Sequence, residues 1–294
     1  MDQIDKYNSS PLKGFYGLSP NDMNSLLHQG INKPDSVCVI NQTIDNDILK
    51  SATFFSDMRL LLNLIYEQKS IALTATGCLP PKICTILAEA EALGEDLWWY
   101  KHKKSKLVTE SNFHYIHLLH LCIKSFGLAR KEKKRILLTK RGESLLLDPE
   151  HIKLYSWIIE AYMTKFNWAY SDSYPKAYII QQGILFSVYL LQKYGNEDRR
   201  IEFYTDKFLE AFPATIGEFT DSPYHSATKQ MINCYDCRVF KRFLNRFGLI
   251  TLTKTQDDPK RMPTHTIAKT PLLDQLFSWQ NISWESHLDS LVLN

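Results

Sequence analysis

The sequence predicts a mainly α-helical protein with small β-hairpins (α+β), organised as two winged-helix units joined by a helical connector. Three observations carry that expectation. Residues 113–127 read as an apolar helix ending at a glycine, followed by LARKEKKRILLTKRGESLL at 128–146. Residues 234–248 and 249–277 repeat the order of helix, glycine turn, strand, charged turn, strand and helix. The chain of 294 residues also suits two domains of about 150 residues each. The boundaries expected are an N-terminal arm over 1–49, a first unit over 50–148, a connector over 149–174, a second unit over 175–283 and a tail over 284–294.

In the arm, Ser19 is placed to cap a helix that has Pro20 at its first position and Asp22 in its first turn, with Gly30 ending it. Apolar residues at 54, 55, 58, 61, 62 and 65 recur at spacings of three and four, which predicts a helix over 51–67. IALTATG at 71–77 follows as a short strand, and Pro80-Pro81 opens a helix running to about residue 93. A third helix covers 112–126, then strands 128–132 and 135–139 flank a turn at Lys133-Lys134, with a closing helix from about 141. An aromatic-rich helix over 150–167 forms the connector. In the second unit, helices are expected over 176–194, 204–212 and 224–247, then a hairpin with a longer tip at 257–263.

Charge is more informative in its distribution than in its sum of +3. Residues 101–141 hold twelve Lys/Arg against Glu110 and Glu132, and residues 229–269 hold nine against Asp236, Asp257 and Asp258. The remainder of the chain is therefore net acidic, and the positive field is confined to the two helix-plus-hairpin units, where it would attract a polyanion. The bland alternative is that lysines in edge hairpins only block strand pairing. Six cysteines, four of them isolated, do not form a disulfide framework, so reduced thiols and a cytoplasmic setting are expected. No run approaches the ~18 apolar residues of a spanning helix, and the polar start MDQIDKYNSS is not a secretory leader.

Three stretches together, GLSPNDMNSLLHQ at 17–29, LTATGCLPPK at 73–82 and FHYIHLLHLCIKSFGLARKEKKRILLTKRGESLL at 113–146, resemble a bacterial family. Its members carry GLSP–helix and LTATGxLP signatures and are often grouped with plasmid pRiA4b ORF-3-like or SEC-C-motif proteins. The resemblance covers about residues 17–147 and, more weakly, the second hairpin to 277. It implies winged-helix units and a bacterial cytosolic or mobile-element setting, and it supplies no catalytic residues. The chain lacks the Cys-x-Cys…Cys-His tail of SEC-C members, so no zinc function is carried over.

A helix that reads a DNA groove needs one apolar face for the core and one polar face for phosphates and base edges. The helix 113–126 is apolar nearly all round and is expected to be a packing module. In 237–248, Val239, Phe240, Phe243, Leu244 and Phe247 take one face, and Arg238, Lys241, Arg242, Asn245 and Arg246 take the other. Those five, with Lys254, Lys260 and Arg261 of the second hairpin, form the expected nucleic-acid surface; a solvated basic face is the alternative. Arg130, Lys131, Lys133, Lys134 and Arg135 form a secondary basic wing.

Trp98, Trp99 and Tyr100 interleave with Lys101, Lys103 and Lys104, either to stack bases or to close the core between two helices. Cys234 and Cys237 form a lone CxxC without the further ligands zinc requires. His114, His117 and His120 step by three, but their helix offers no carboxylate, so no metal is expected. P-loop, dinucleotide-fold, zincin and serine-hydrolase motifs are all missing, so no enzyme and no cofactor are expected. The function expected is non-catalytic binding of nucleic acid, with duplex DNA as partner and no membrane. The competing expectation is a scaffold whose units pack against a protein partner or a second copy.

Overall fold

The computed structural model describes residues 3–34, 36–90, 108–170, 172–255 and 264–282, and the protein is mainly helical with small antiparallel sheets of two or three strands. The chain divides into two compact units, Asp45–Phe166 and the combination of Met1–Ile44 with Asn167–Asn294. The stretch expected as a separate N-terminal arm thus packs with the C-terminal half. The aromatic helix expected as a connector lies within the 45–166 unit. The tail 284–294 and the hairpin tip 257–263 lie outside the described residues.

The N-terminal segment holds α1 (Gln3–Asn8), α2 (Pro20–Asn24) and β1 (Cys38–Ile40). Ser19 and Asp22 form a reciprocal capping box at the start of α2, each side chain accepting the other's backbone N–H. Gly30 ends the following turn at φ +74°, a left-handed value that glycine adopts without strain.

In the 45–166 unit, α3 (Thr53–Glu67) precedes β2 (Ile71–Ala72) and α4 (Pro81–Glu89). Then come α5 (His114–Ser125), β3 (Ala129–Glu132), β4 (Arg135–Leu138), α6 (Lys140–Leu147) and α7 (His151–Thr164). The apolar stripe foreseen on α3 is buried at Phe54, Phe55, Met58, Leu61, Leu62 and Ile65. The sheet order is β2-β4-β3, so the first strand pairs with the last.

The C-terminal half continues with α8 (Tyr178–Gln182), α9 (Ile184–Tyr194), β5 (Arg199–Arg200), α10 (Ile201–Ala211) and α11 (Ala227–Tyr235). After it come β6 (Ile250–Thr255), β7 (Thr264–Lys269), α12 (Pro271–Leu276) and β8 (Phe277–Trp279). Its three-stranded sheet has the order β5-β7-β6, and β8 pairs with β1. The single helix expected over 176–194 is split at Gly183, where a Cβ would come within 2.9 Å of Phe208. Strand β5 was not foreseen: Arg199 and Arg200 are polar, and they become a strand only by pairing with Ile267 and Thr266.

Both units therefore share one order, helix–strand–helix–helix–strand–strand, with the first strand against the third. The likeness extends to single hydrogen bonds. Gly127 and Gly248 end the helix before each hairpin at φ +70° and +71°. Thr139 Oγ1 donates to Gly127 O at 2.7 Å and accepts from Gly142 N at 3.0 Å. Thr270 Oγ1 donates to Gly248 O at 2.7 Å and accepts from Leu273 N at 3.4 Å. Each threonine thus caps the helix after its hairpin and ties that cap to the turn before it. Three residues earlier, Ile136 and Ile267 stand in the central strand, fully buried. Phe126 and Phe247, one residue before each glycine, are also fully buried.

Replacing either threonine with alanine removes a cap and the bridge to the glycine carbonyl, at about 1–2 kcal/mol each. Gly142→Ala would set a Cβ 1.9 Å from Leu128 O, an overpacking costing about 1–3 kcal/mol or more. Urea denaturation checks all three, and wild-type midpoints for Thr139→Ala and Thr270→Ala would remove the bridge from the account of the fold.

Candidate nucleic-acid interface

The helix expected over 224–247 begins at Ala227, three residues later, where the Ser226 side chain caps it by accepting the Lys229 N–H. Beyond Tyr235 it continues over Asp236–Leu244 with wider turns, closing with i→i+5 bonds such as Asn245 N–H to Phe240 O. Val239, Phe240, Phe243, Leu244 and Phe247 are all fully buried. On the opposite side Lys241 and Asn245 are exposed, while Arg242 and Arg246 are half-buried.

Arg238 departs from the expectation. Its side chain is 2 % exposed, and its guanidinium holds both oxygens of Asp172 at 2.8 Å. Two further N–H groups donate to Lys176 O and Pro175 O at 2.8 Å. Four of the five N–H donors are thus met inside the protein, so Arg238 anchors the 172–177 loop and is withdrawn from any external phosphate. Arg238 follows the buried Met231, Cys234 and Tyr235 at spacings of seven, four and three, so it falls on the core side of the helix.

Acidic neighbours also engage the cations beside it. Lys241 Nζ lies 2.7 Å from Asp236, and one Arg242 nitrogen lies 3.8 Å from Asp172. Both lysine and arginine keep part of their surface in solvent. Lys254 is exposed on β6. Lys260 and Arg261 lie outside the described residues, as does the aromatic–cationic stretch 97–104.

The secondary wing is the better-exposed cationic surface. Arg130, Lys131, Lys133, Lys134 and Arg135 are all exposed. Arg130 pairs with Glu132, and Arg135 donates to Ser70 Oγ and Ser70 O at 2.8 and 3.0 Å. Lys133 and Lys134 form the hairpin turn, and Lys131 lies two residues before it in β3 with its Nζ beside Gly77. Lys133 sits at φ +53°, a left-handed value that glycine would take at lower cost.

The histidine triplet finds a carboxylate that its own helix lacks. Glu110, in the turn before α5, is 3 % exposed. Its oxygens meet His117 Nδ1 at 2.8 Å, His120 Nδ1 at 2.9 Å and the Leu79 N–H at 2.5 Å. Burial works against its charge, but the hydrogen bonds from His120, the Leu79 amide and His117 outweigh it and hold the carboxyl below its ordinary value. His120 Nε2 is buried without a partner, and no group of three or more metal-ligating side chains is found among the described residues. The cluster ties the LTATGCLP segment to α5 through Leu79. Sequence proximity could have signalled it, since Glu110 stands seven and ten residues before its histidines. Cys234 and Cys237 carry free thiols that burial pushes up, Cys234 to about 12, so neither is poised as a thiolate.

Residues 50–151 match the Y4jL N-terminal domain. That Y4jL-like stretch falls within the 45–166 unit and includes the LTATGCLP segment, the Glu110 cluster and the basic wing. It leaves the GLSP segment and the second hairpin unmatched. No curated protein and no solved structure matches the chain. No helix among the described residues is long and apolar enough to cross a membrane.

Arg238→Ala takes the bidentate partner from the buried Asp172, leaving it only the more distant Arg242 and the Tyr174 N–H, and should cost about 3 kcal/mol. Lys241→Ala, at an exposed pair, should stay within about 0.5 kcal/mol of wild type. Equal effects in denaturant titration would contradict the burial assignment. For Glu110 the depressed carboxyl contributes stability above its ordinary value of 4.5, and this is lost as pH falls through the lower folded value. Glu110→Gln should therefore destabilise by about 1–3 kcal/mol near pH 6, with the gap to wild type narrowing below pH 4. A gap that is constant from pH 6 to pH 3 would show the charge to be irrelevant.

Proposed function

We propose that this chain is a non-catalytic, cytoplasmic nucleic-acid-binding protein built on two winged-helix units, with duplex DNA as its partner. The observation that carries the proposal is the first hairpin. Lys133 and Lys134 are exposed at its turn with Lys131 exposed on the strand before it, and Lys133 occupies a backbone position that disfavours every residue except glycine and, less strongly, asparagine. A strained residue kept in place of glycine points to a use for its side chain. The shared helix–strand–helix–helix–strand–strand order supports the winged-helix assignment, in which the hairpin is the wing and lies against the phosphate backbone. The helix starting at Ala227 adds Lys229, Lys241 and Asn245 on its exposed side. Phosphate contacts would dominate, so affinity should fall steeply with added salt.

One observation favours the competing scaffold reading. Helix α5, which holds the groove-reading position in the first unit, buries Tyr115, Ile116, Leu118, Leu119, Cys122 and Ile123. Its solvent side carries only His114, His117, Leu121, Lys124 and Ser125, with a single lysine among them, so in that unit the hairpin is the stronger cationic surface. Tyr224, 88 % exposed, is an aromatic anchor available to a protein partner.

Fluorescence anisotropy with a 20-base-pair duplex over a salt series tests the DNA proposal. Charge reversal at Lys131, Lys133 and Lys134 should weaken binding and reduce the log–log salt slope by about one unit per lysine that contacts phosphate. Lys133→Gly should keep or raise stability while weakening binding. Unchanged affinity in the triple variant would defeat the wing assignment, and a salt-insensitive protein complex or homo-oligomer would favour the scaffold.

A further inference from the structure

We propose that the 45–166 unit holds a binding site for a small organic oxyanion, a carboxylate or phosphate monoester with a compact apolar body, centred on Arg59. This site is separate from the basic hairpin and does not rest on the DNA proposal.

A cavity of about 370 Å³ opens beside α3, the turn at 46–50 and the start of α7. That volume lies at the lower end of the range of small-molecule sites. Arg59 and His151 line it with Asn63, and Leu49, Phe55 and Leu60 contribute apolar wall. Arg59 is half-buried, and its Nε–H is buried with no hydrogen-bond partner. Among the described residues no carboxylate lies within ion-pair distance of it. Asp47, also on the lining, is held by Lys50 at 2.5 Å, and Asp57 accepts the Tyr115 hydroxyl at 2.7 Å.

The contrast with Arg238 is instructive. There a buried guanidinium has two carboxylate oxygens and two carbonyls; here a half-buried guanidinium lines a cavity with no carboxylate paired to it among the described residues, and its covered Nε–H is unmet. A ligand acceptor in the cavity would give that cation the charge-assisted hydrogen bond it lacks. The site also sets like charges together. Burial and the Arg59 charge depress the His151 imidazole, with only the Asp148 carboxylate opposing them, and that carboxylate is shared with Lys153. An oxyanion between the two would accept the Arg59 fork, favour protonation of His151 and leave its apolar body against Leu49, Phe55 and Leu60. An anion without that body, such as chloride, gains only part of this.

The test uses the full chain with benzoate and phenyl phosphate as probes, at constant ionic strength set by sodium chloride. Isothermal titration should show saturable binding of at least one probe, and whichever saturates identifies the oxyanion. Arg59→Gln should weaken it at least tenfold, and Arg59→Lys should restore part of the loss. Imidazole NMR titration of the wild-type protein gives a readout independent of any variant. The His151 pKa should rise at saturating probe. The proposal is overturned if neither probe saturates, if Arg59→Gln binds as wild type, or if the His151 titration is the same with and without probe.

Discussion

A threonine hydroxyl that bridges two backbone segments is the constraint on which each unit depends. Oγ1 of Thr139 or Thr270 donates to a glycine carbonyl that the preceding helix leaves open, and accepts from the first turn of the helix that follows. One small side chain thus closes the hairpin at its base and stops both helix ends from exposing unpaired polar groups. It also sets register. With the threonine tied to the glycine, the isoleucine three residues earlier must face the core from the central strand, as Ile136 and Ile267 do. A hairpin slipped by one residue would turn that isoleucine to solvent and lose the bridge together. The bridge tolerates different hairpin lengths, since twelve positions separate Gly127 from Thr139 and twenty-two separate Gly248 from Thr270.

The charged groups obey a second constraint. A buried ion must be met within the protein, and this sorts cations that look equivalent in the sequence. Arg238 is met by Asp172 and two carbonyls, and the loop 172–177 is fastened as a result. Glu110 is met by two imidazoles and an amide, which fastens the turn before α4 to α5. Lysines at the tip of a two-residue hairpin turn have no such obligation, because no element packs over them. The basic residues best placed for an external polyanion are therefore those farthest from the core.

The N-terminal segment illustrates how little of long-range packing is visible in a local pattern. The Ser19 cap with Pro20 and Asp22 is as foreseen, because capping is decided within four residues. Nothing in those residues says that β1 will pair with β8, more than two hundred positions away. Lys207 meets the rings of Tyr16, Tyr194 and Phe203 at 4.2–4.8 Å, and Tyr189 donates to Tyr16 O at 2.9 Å. Those contacts make the segment part of the C-terminal unit, and they join residues from three separate stretches of chain.

What the sequence determined by itself was the set of elements whose causes are local: the α3 stripe, the proline-started α4, the two glycine-ended helices and the hairpins after them. It also placed Val239, Phe240, Phe243, Leu244 and Phe247 on one buried face, because apolar spacing reports burial. Strand β5, the break at Gly183 and the meeting of Glu110 with its histidines came only with the tertiary structure, since each depends on a partner distant along the chain or on space beside another element. The fate of Arg238 was decided in the same way. It lies on the core side of its helix with Met231, Cys234 and Tyr235, and an aspartate sixty-six positions earlier is there to receive it. A guanidinium that reads as surface in one dimension becomes a buried tie in three, because desolvating it is tolerable only where its donors find acceptors.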